Sequence, residues 1–402
     1  MAMGKKVLVM SSTFPRWAND TTPGFVHDLS ARLAGKYGII VLAPHYRNAR
    51  KRESMDGMDV RRFAYFKPES MQKLCYDGGI IPNMKKSFLA RLQMPLLLLS
   101  EFFSAYRTIK KENIGIIHAH WMLPQGFVGA FLKRIVKKPL IVTVHGSDLF
   151  PLKSGFFKKL QRFTVKNSDI VTVNTEATKK ELSSRFPEYA SKIRIIPMGV
   201  DTRLFKKTKL KKPKKYSRNK LLLTVGRLSD QKGLQYLIGS MHDLLKYDKS
   251  IKLLIIGEGS YRNELEQKIK DNGLEKNVEF LGALPIKEIA KYHNYADIFV
   301  MPSLATKTGT EALGLSMIEA MSSGCAVIAT SVGGIPYALK NEFNGLLVRE
   351  RDSNALSHAV IRLLKSPKTA GKLGKNAAIF ARDNYSWEKV AKDFLKIYDG
   401  IK

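Results

Sequence analysis

Read from its N-terminus, the chain alternates short apolar runs with longer amphipathic stretches. Runs of mostly four to six residues, rich in β-branched side chains and flanked by Gly, Pro, Asp or Asn, stand at 7–10, 39–43, 114–118, 140–145, 170–174 and 193–197. A second series follows at 221–225, 252–256, 278–281, 298–302, 326–329 and 346–348. Runs of this length read as strands buried on both faces, and the helical periodicity between them reads as covering helices. The pattern predicts an α/β chain of two doubly wound parallel-sheet, Rossmann-like domains facing across a cleft. Lys206–Lys220 parts the two series. It is Lys-rich, contains Pro213 and has too few apolar residues for a core, so it reads as an exposed connector. The expected domains are 1–200 and 221–385, with the connector at 201–220. The tail 386–402 carries an apolar helical face (Val390, Phe394, Leu395, Tyr398) and is expected to pack back toward the first domain.

A length of 402 residues suits two domains, and 44% apolar with 26% charged residues is ordinary for a folded chain. Cys75 and Cys325 form no metal or disulfide framework, so a reducing, cytoplasmic setting is expected. The N-terminus shows no signal peptide, only the strand-length run Val7–Met10. No run is read as reaching the ~18–20 apolar residues of a membrane span; the nearest, 88–103, is broken by Arg91 and Glu101. Charge adds something new: 68 basic against 35 acidic residues give +33. Residues 1–200 hold 33 basic and 14 acidic, 201–220 hold ten and one, and 221–402 hold 25 and 20. That excess implies either an anionic partner of the first half (a phosphate-bearing acceptor, a membrane face or nucleic acid) or simply a lysine-solvated surface. The segment 84–111 interleaves Lys85, Lys86, Arg91, Lys110 and Lys111 with Phe88, Leu89, Leu92, Leu96–Leu99, Phe102 and Phe103. It reads as a helix lying peripherally on the inner face of an anionic membrane, or as a core helix against the first sheet.

In doubly wound sheets ligands bind beyond the carboxyl ends of the strands. The first strand leads through Ser11-Ser12-Thr13 to Pro23-Gly24-Phe25, where Gly24 opens a helix whose N–H groups meet an anion or only a cap. His118 and His120 stand two apart in one strand; they are read as facing opposite sides, hence not a metal pair, and no metal site is expected. His145, in His145-Gly146-Ser147-Asp148, is a candidate hydrogen-bond donor or acid/base at a strand end, or a structural histidine. In the second half, Arg227 and Lys232 flank a strand-to-helix turn and can converge on a phosphate pair. Gly257-Glu258-Gly259 is a weak nucleotide signal. Glu311 and Glu319 are eight apart; on one helix their directions differ by ~80°, so both are expected to line one groove at different depths. One carboxylate would serve a sugar or a developing oxocarbenium, the other a ribose. The N–H groups of Leu313-Gly314-Leu315 would face a diphosphate.

Those motifs make the chain resemble the retaining glycosyltransferases of family 4, with the GT-B fold, over nearly its whole length. The paired-glutamate motif is similar to Glu311 and Glu319 in EALGLSMIEAMSSGCAVIATSVGGIP, the diphosphate-binding pair to Arg227 and Lys232 in GRLSDQKG. The cleft histidine resembles His145 in TVHGSD, the first-domain glycine loop the stretch up to Gly24, and the hinge IPMGVD. The resemblance implies transfer of a hexose, with retention, from a nucleoside-diphosphate-sugar (UDP or GDP) to a saccharide or lipid-linked acceptor held by the N-terminal domain. It implies no metal and no cofactor: basic side chains and helix termini neutralise the leaving diphosphate. The first loop lacks the common paired glycines, Tyr337 stands where a glutamate is usual after GGIP, and Ala312 replaces a Gly or Pro. Two alternatives stay open: a nucleotide-sugar hydrolase or epimerase of the same fold, or a basic nucleic-acid-binding protein, although no nucleic-acid module is recognised.

Overall fold

The computed structural model describes residues 5–17, 20, 22, 24–306 and 309–401; Pro23 of the first-loop motif lies outside them. The chain forms two compact units, Met1–Pro197 with Val390–Lys402, and Met198–Lys389.

In the first unit β1 (Lys6–Met10), α1 (Phe25–Leu33), β2 (Gly38–Pro44), β3 (Arg52–Met55), β4 (Met58–Phe63), α2 (Ile80–Lys86) and α3 (Phe88–Glu112) follow one another. Then come β5 (Ile114–His120), α4 (Phe127–Val136), β6 (Leu140–Val144), α5 (Gly155–Asn167), β7 (Ile170–Val173), α6 (Glu176–Arg185) and β8 (Ile193–Ile195). The eight strands lie in the order β3-β4-β2-β1-β5-β6-β7-β8, so the chain changes direction across the sheet between β1 and β5. All neighbours are parallel except β3 and β4, an antiparallel edge hairpin absent from the expected pattern. Its two-residue turn is Asp56-Gly57, both at positive φ (46° and 81°), the geometry that keeps two twisted strands paired. β3 alternates exposed and half-buried residues, so it never shows as an apolar run.

Helix α3 runs 25 residues, from the Ser87 cap, whose hydroxyl accepts the Ala90 N–H, to left-handed Asn113. One face is buried in the unit core through Ala90, Gln93, Leu97, Glu101, Ala105, Thr108 and Ile109. The other presents Phe88, Leu92, Leu96, Leu99 and Phe103 to solvent, with Phe88 70% exposed. The core and surface readings of this helix therefore hold for opposite faces. By length and composition α3 is also apolar enough to cross a membrane, contrary to the expectation that no segment is. The two charges taken as breaks do not break it: the Arg91 guanidinium turns back onto the carbonyls of Met84 and Lys85, and Glu101 faces the core.

The second unit contains β9 (Lys220–Val225), α7 (Leu234–Tyr247), β10 (Ile251–Ile256), α8 (Arg262–Asp271), β11 (Val278–Gly282), α9 (Ile286–Tyr295) and β12 (Ile298–Met301). It continues with α10 (Leu315–Ser322), β13 (Ala326–Thr330), α11 (Ile335–Ala338), β14 (Leu346–Val348), α12 (Ser353–Lys365) and α13 (Pro367–Tyr385); α14 (Trp387–Gly400) ends the chain. The sheet order is β11-β10-β9-β12-β13-β14, all parallel, with the switch point between β9 and β12. The segment 201–220 is not a free connector. Phe205 and Tyr216 are buried in the second core, the Tyr216 hydroxyl donates to Glu279, and Lys212 and Lys215 pair with Asp297 and Glu279 at 2.6 and 2.9 Å. Two aromatic anchors are enough to dock an otherwise basic stretch whose lysines reach carboxylates on the rim. At the other end of the unit Trp387 lies on Gly199, where a Cβ would stand 2.5 Å from the ring. Beyond it, Phe394 and Tyr398 of α14 are buried against His118 of the first unit.

Burial raises the Glu101 carboxyl to about 8, against which its one hydrogen bond, accepted from Gln125 at 3.4 Å, pulls only weakly. The folded state thus holds a proton that the unfolded chain releases above its ordinary value of 4.5, and stability falls as pH rises from there toward 8. Glu101→Gln should match the wild type near about pH 5 and melt at a higher temperature near about pH 9. A variant that melts lower than wild type at the alkaline pH would contradict a neutral buried carboxyl.

Candidate functional site

The switch point of the second sheet carries a small, open hollow. Its walls are the carboxyl ends of β9 (Thr224, Val225), β10 (Ile255, Ile256) and β12 (Met301), with Gly226, Arg227, Lys232, Pro302 and Ser303 beyond them. The turn that delivers Lys232 is a 3₁₀ segment, Asp230–Lys232, closed by Gly233 in the left-handed region at φ 65°. Only glycine fits there, since a Cβ would stand 1.9 Å from the Pro302 carbonyl oxygen. The Leu304 N–H donates to the Gln231 carbonyl at 2.8 Å, tying the end of β12 to the same turn. Gly257 and Gly259 have a packing role: a Cβ on either would meet the carbonyl oxygen of Gly226 or Leu228 at 2.0 Å, so the loops after β9 and β10 touch backbone to backbone.

Arg227 and Lys232 therefore share one hollow, as their spacing anticipates. Arg227 is exposed and takes no partner among the described residues. The Lys232 Nζ donates to the Glu311 carboxylate at 2.5 Å, and the Ser303 hydroxyl approaches the same oxygen at 3.5 Å. Burial alone would raise the Glu311 carboxyl, but the Lys232 charge and hydrogen bond, with those of Ser303 and the Gly314 N–H, hold it below its ordinary range. The two glutamates do not share a helix. α10 begins at Leu315, after Gly314 in the left-handed region at φ 78°, so Glu311 sits in the preceding turn and the ~80° helical relation does not apply. Glu319, on the second turn of α10, does not line the hollow; its carboxylate lies 3.8 Å from Nε2 of the fully buried His293, which the sequence reading missed. Of the Leu313-Gly314-Leu315 amides, that of Gly314 turns toward Glu311; in the first turn of α10 the Met317 N–H donates to the Gly314 carbonyl at 2.9 Å, and those of Leu315 and Ser316 have no acceptor within the helix.

In the first unit, Gly24 precedes α1 without any side-chain cap, and its carbonyl accepts the Asp28 N–H at 2.8 Å. His118 and His120 lie on the same face of β5, ring centroids 4.4 Å apart, because residues two apart in a strand point the same way. The expectation of opposite faces was wrong. Both histidines are fully buried, and His120 Nδ1 lies 3.1 Å from His145 Nε2 at the end of β6. Half-buried His145 is held between the Phe25 and Trp121 rings, and its backbone N–H donates to the Asp148 carboxylate at 3.0 Å. Asp148, also unforeseen, joins this turn to the loop after β5 by accepting the Met122 N–H; burial raises its carboxyl to about 6 despite those donors. Burial pushes all three imidazoles toward the neutral form, His118 and His145 to about 3. Among the described residues no group of three or more His, Cys, Asp or Glu side chains is arranged to hold a metal ion.

Two family models cover most of the chain, Glycosyltransferase Family 4 over residues 25–204 and Glycosyl transferases group 1 over residues 205–380. An uncharacterized glycosyltransferase of Methanocaldococcus jannaschii is 30% identical over 83% of this chain and 88% of its own. The GDP-mannose-dependent alpha-(1-6)-phosphatidylinositol monomannoside mannosyltransferase of Mycolicibacterium smegmatis is 26% identical over 73% of this chain and 78% of its own. Among solved structures, Anabaena HepE in complex with UDP superposes with a TM-score of 0.75 at 19% identity, over 98% of this chain and all of that one.

The Lys232–Glu311 pair makes its own prediction. Lys232→Met leaves the carboxylate buried without its cation and should destabilise the second unit by about 3 kcal/mol at neutral pH. Glu311, held low in the folded state, contributes stability above its unfolded value of 4.5 that is lost as pH falls through the folded one. In the variant this contribution is gone, so the deficit should shrink in acid, where the carboxyl takes up a proton. Urea unfolding at about pH 7 and about pH 4 measures both; an equal deficit at the two pH values would refute the coupling.

Proposed function

The chain belongs to the group 1 and family 4 glycosyltransferases and is of the GT-B type, and from there we propose that it transfers a hexose from a nucleoside-diphosphate-sugar to a saccharide or lipid-linked acceptor with retention of configuration. The observation that carries the donor half is the hollow at the β9/β12 switch point, where Arg227 and Lys232 line one wall and Glu311 is bonded to the lysine. A pyrophosphate is a bidentate match for the Arg227 fork and a competitor for the Lys232 ammonium. In this reading the diphosphate takes Lys232 from Glu311, whose carboxylate then faces the positive charge that develops at the anomeric carbon as the bond to the leaving oxygen lengthens. The backbone at Leu313-Gly314-Leu315, leading into the N-terminus of α10, adds partial positive charge on the phosphates, and Glu319 is assigned to the ribose hydroxyls. His145 bonds an oxygen of the donor sugar, and Gly24 marks the acceptor side. With two cations and a helix terminus on the leaving group, the reading needs neither a divalent metal nor a cofactor.

The donor nucleotide is read as UDP or GDP: HepE is described with UDP and UDP-glucose, and the M. smegmatis relative is named for GDP-mannose. That relative is also named for a phosphatidylinositol mannoside, which supports an acceptor on a lipid. The outer face of α3 supports it independently. Five large apolar side chains stand exposed on it, and Lys85, Lys86, Arg91, Lys110 and Lys111 are exposed around them. We place the enzyme in the cytoplasm, peripheral to the inner face of an anionic membrane, in polysaccharide or glycolipid assembly. Hydrolysis or epimerisation of the donor would leave that face without a purpose, and nucleic-acid binding would leave the hollow without one.

A donor at a hundred times its Kd should stabilise the protein by about 2.7 kcal/mol, so a thermal-shift panel of UDP-, GDP- and ADP-sugars should single out one base. Arg227→Ala, at an exposed unpaired residue, should keep the ligand-free melting temperature and weaken donor binding roughly tenfold or more. No shift with any nucleotide-sugar would sink the donor assignment. For the membrane part, the protein should co-sediment with phosphatidylglycerol vesicles at low salt and not with phosphatidylcholine vesicles. Phe88→Asp combined with Leu92→Asp should abolish this; equal behaviour toward both lipids would remove it from the proposal.

A further inference from the structure

We infer that His120 is a positioning residue that sets the tautomer of His145, so that His145 presents an Nδ1–H donor outward. The inference deepens the proposed reading, on which it rests for the contact between His145 and the donor sugar.

The hydrogen bond between His120 Nδ1 and His145 Nε2, 3.1 Å long, joins two neutral rings, so one nitrogen carries the proton and the other accepts it. The far side of His120 decides which. Its Nε2 is buried and has no partner. A proton there would leave a donor orphaned in the core, whereas a lone pair there is the less costly form of an unpaired buried atom. The proton therefore sits on His120 Nδ1 and is donated to His145 Nε2. A neutral His145 whose Nε2 accepts must carry its own proton on Nδ1. That nitrogen takes no partner among the described residues, and His145 is the half-buried member of the three.

The neighbours hold the arrangement in place. His118 packs against His120, and both its nitrogens are engaged at 2.7 Å, with the Tyr398 hydroxyl and with Thr143 Oγ1. Tyr398 is fully buried, and His118 Nδ1 is the acceptor its hydroxyl hydrogen reaches. The hydroxyl therefore donates to Nδ1, and His118 Nε2–H donates in turn to Thr143, whose hydroxyl passes its own hydrogen to Thr172 at 2.7 Å. His118 thus has no free nitrogen with which to bond His120. The His145 ring lies within 18° of parallel to His120, with Phe25 and Trp121 packed at 4.9 and 4.7 Å. The consequence for specificity is directional: His145 selects a ligand atom with a lone pair, a sugar hydroxyl or phosphate oxygen, and rejects a position that only donates.

The test is nitrogen-15 NMR of histidine-labelled protein, in which two-bond couplings report the tautomer of each ring. The wild type should show His145 protonated at Nδ1 and His120 at Nδ1. In His120→Phe, which keeps a ring and loses the donor, His145 should drift to a mixture of tautomers and kcat should fall about tenfold, the worth of one neutral hydrogen bond. His120→Asn, whose amide N–H stands near the Nδ1 position, should restore both. Donor-induced thermal shift should survive in all three proteins, because Arg227 and Lys232 are untouched; its absence in the wild type would count against the donor site and not against the relay. His145 protonated at Nε2 in the wild type overturns the inference, and that measurement stands even if the phenylalanine variant fails to fold. An unchanged tautomer and kcat in a folded His120→Phe protein overturns it equally.

Discussion

A carboxylate buried in the second unit needs a cation, and Lys232 is the cation that reaches Glu311. Much of the local backbone follows from that pairing. Gly233 turns through the left-handed region against the Pro302 carbonyl so that the lysine leaves the turn on the side of the hollow, and its stem runs over Gly226, 3.5 Å from where a Cβ would stand. Gly314 turns likewise so that α10 begins four residues after Glu311, and a Cβ on Gly333 would stand 2.1 Å from the Glu311 carbonyl oxygen. Four glycines at positive φ surround one ion pair because the backbone itself forms the walls. The pair keeps both charges compensated where neither side chain is fully in water.

Much of this was legible along the chain. All twelve strands expected from apolar runs are present, because strands buried on both faces in a parallel sheet need continuous β-branched sequence. Their carboxyl ends led directly to Arg227 and Lys232 at a switch point, which topology fixes before any ligand is considered, and to His145 just beyond β6. The Arg227/Lys232 spacing was informative for the same reason: both residues fall inside the single connection from β9 to α7.

What stayed hidden was whatever depends on contact between distant segments. In the β3–β4 hairpin the edge strand β3 is exposed or half-buried throughout and shows itself only in its Asp56-Gly57 turn. Tyr216 looked like one aromatic in a lysine run, and its burial depends on Glu279, 63 residues away. Glu311 looks helical when its eight-residue spacing from Glu319 is laid along one helix, but left-handed Gly314 delays the start of α10 to Leu315. The histidine triad is hidden because His118 and His120 share one face of β5 while its third member lies just beyond the neighbouring strand. Glu101 was taken for a break in α3 when burial makes it effectively a neutral polar residue.

The chain passes between its two units twice, once after Pro197 and once after Lys389. At both crossings the same short stretches are hydrogen-bonded, Val200 N–H to the Tyr385 carbonyl and Trp387 N–H to that of Val200. The first unit is thus not contiguous in sequence; its buried Tyr398 comes from the last turns of the polypeptide. A chimera meant to exchange the second unit for that of a homologue would have to be an internal cassette, 198–389, inserted between parental ends. A simple splice at the hinge would import a foreign tail against His118 and disturb the very half it was meant to preserve.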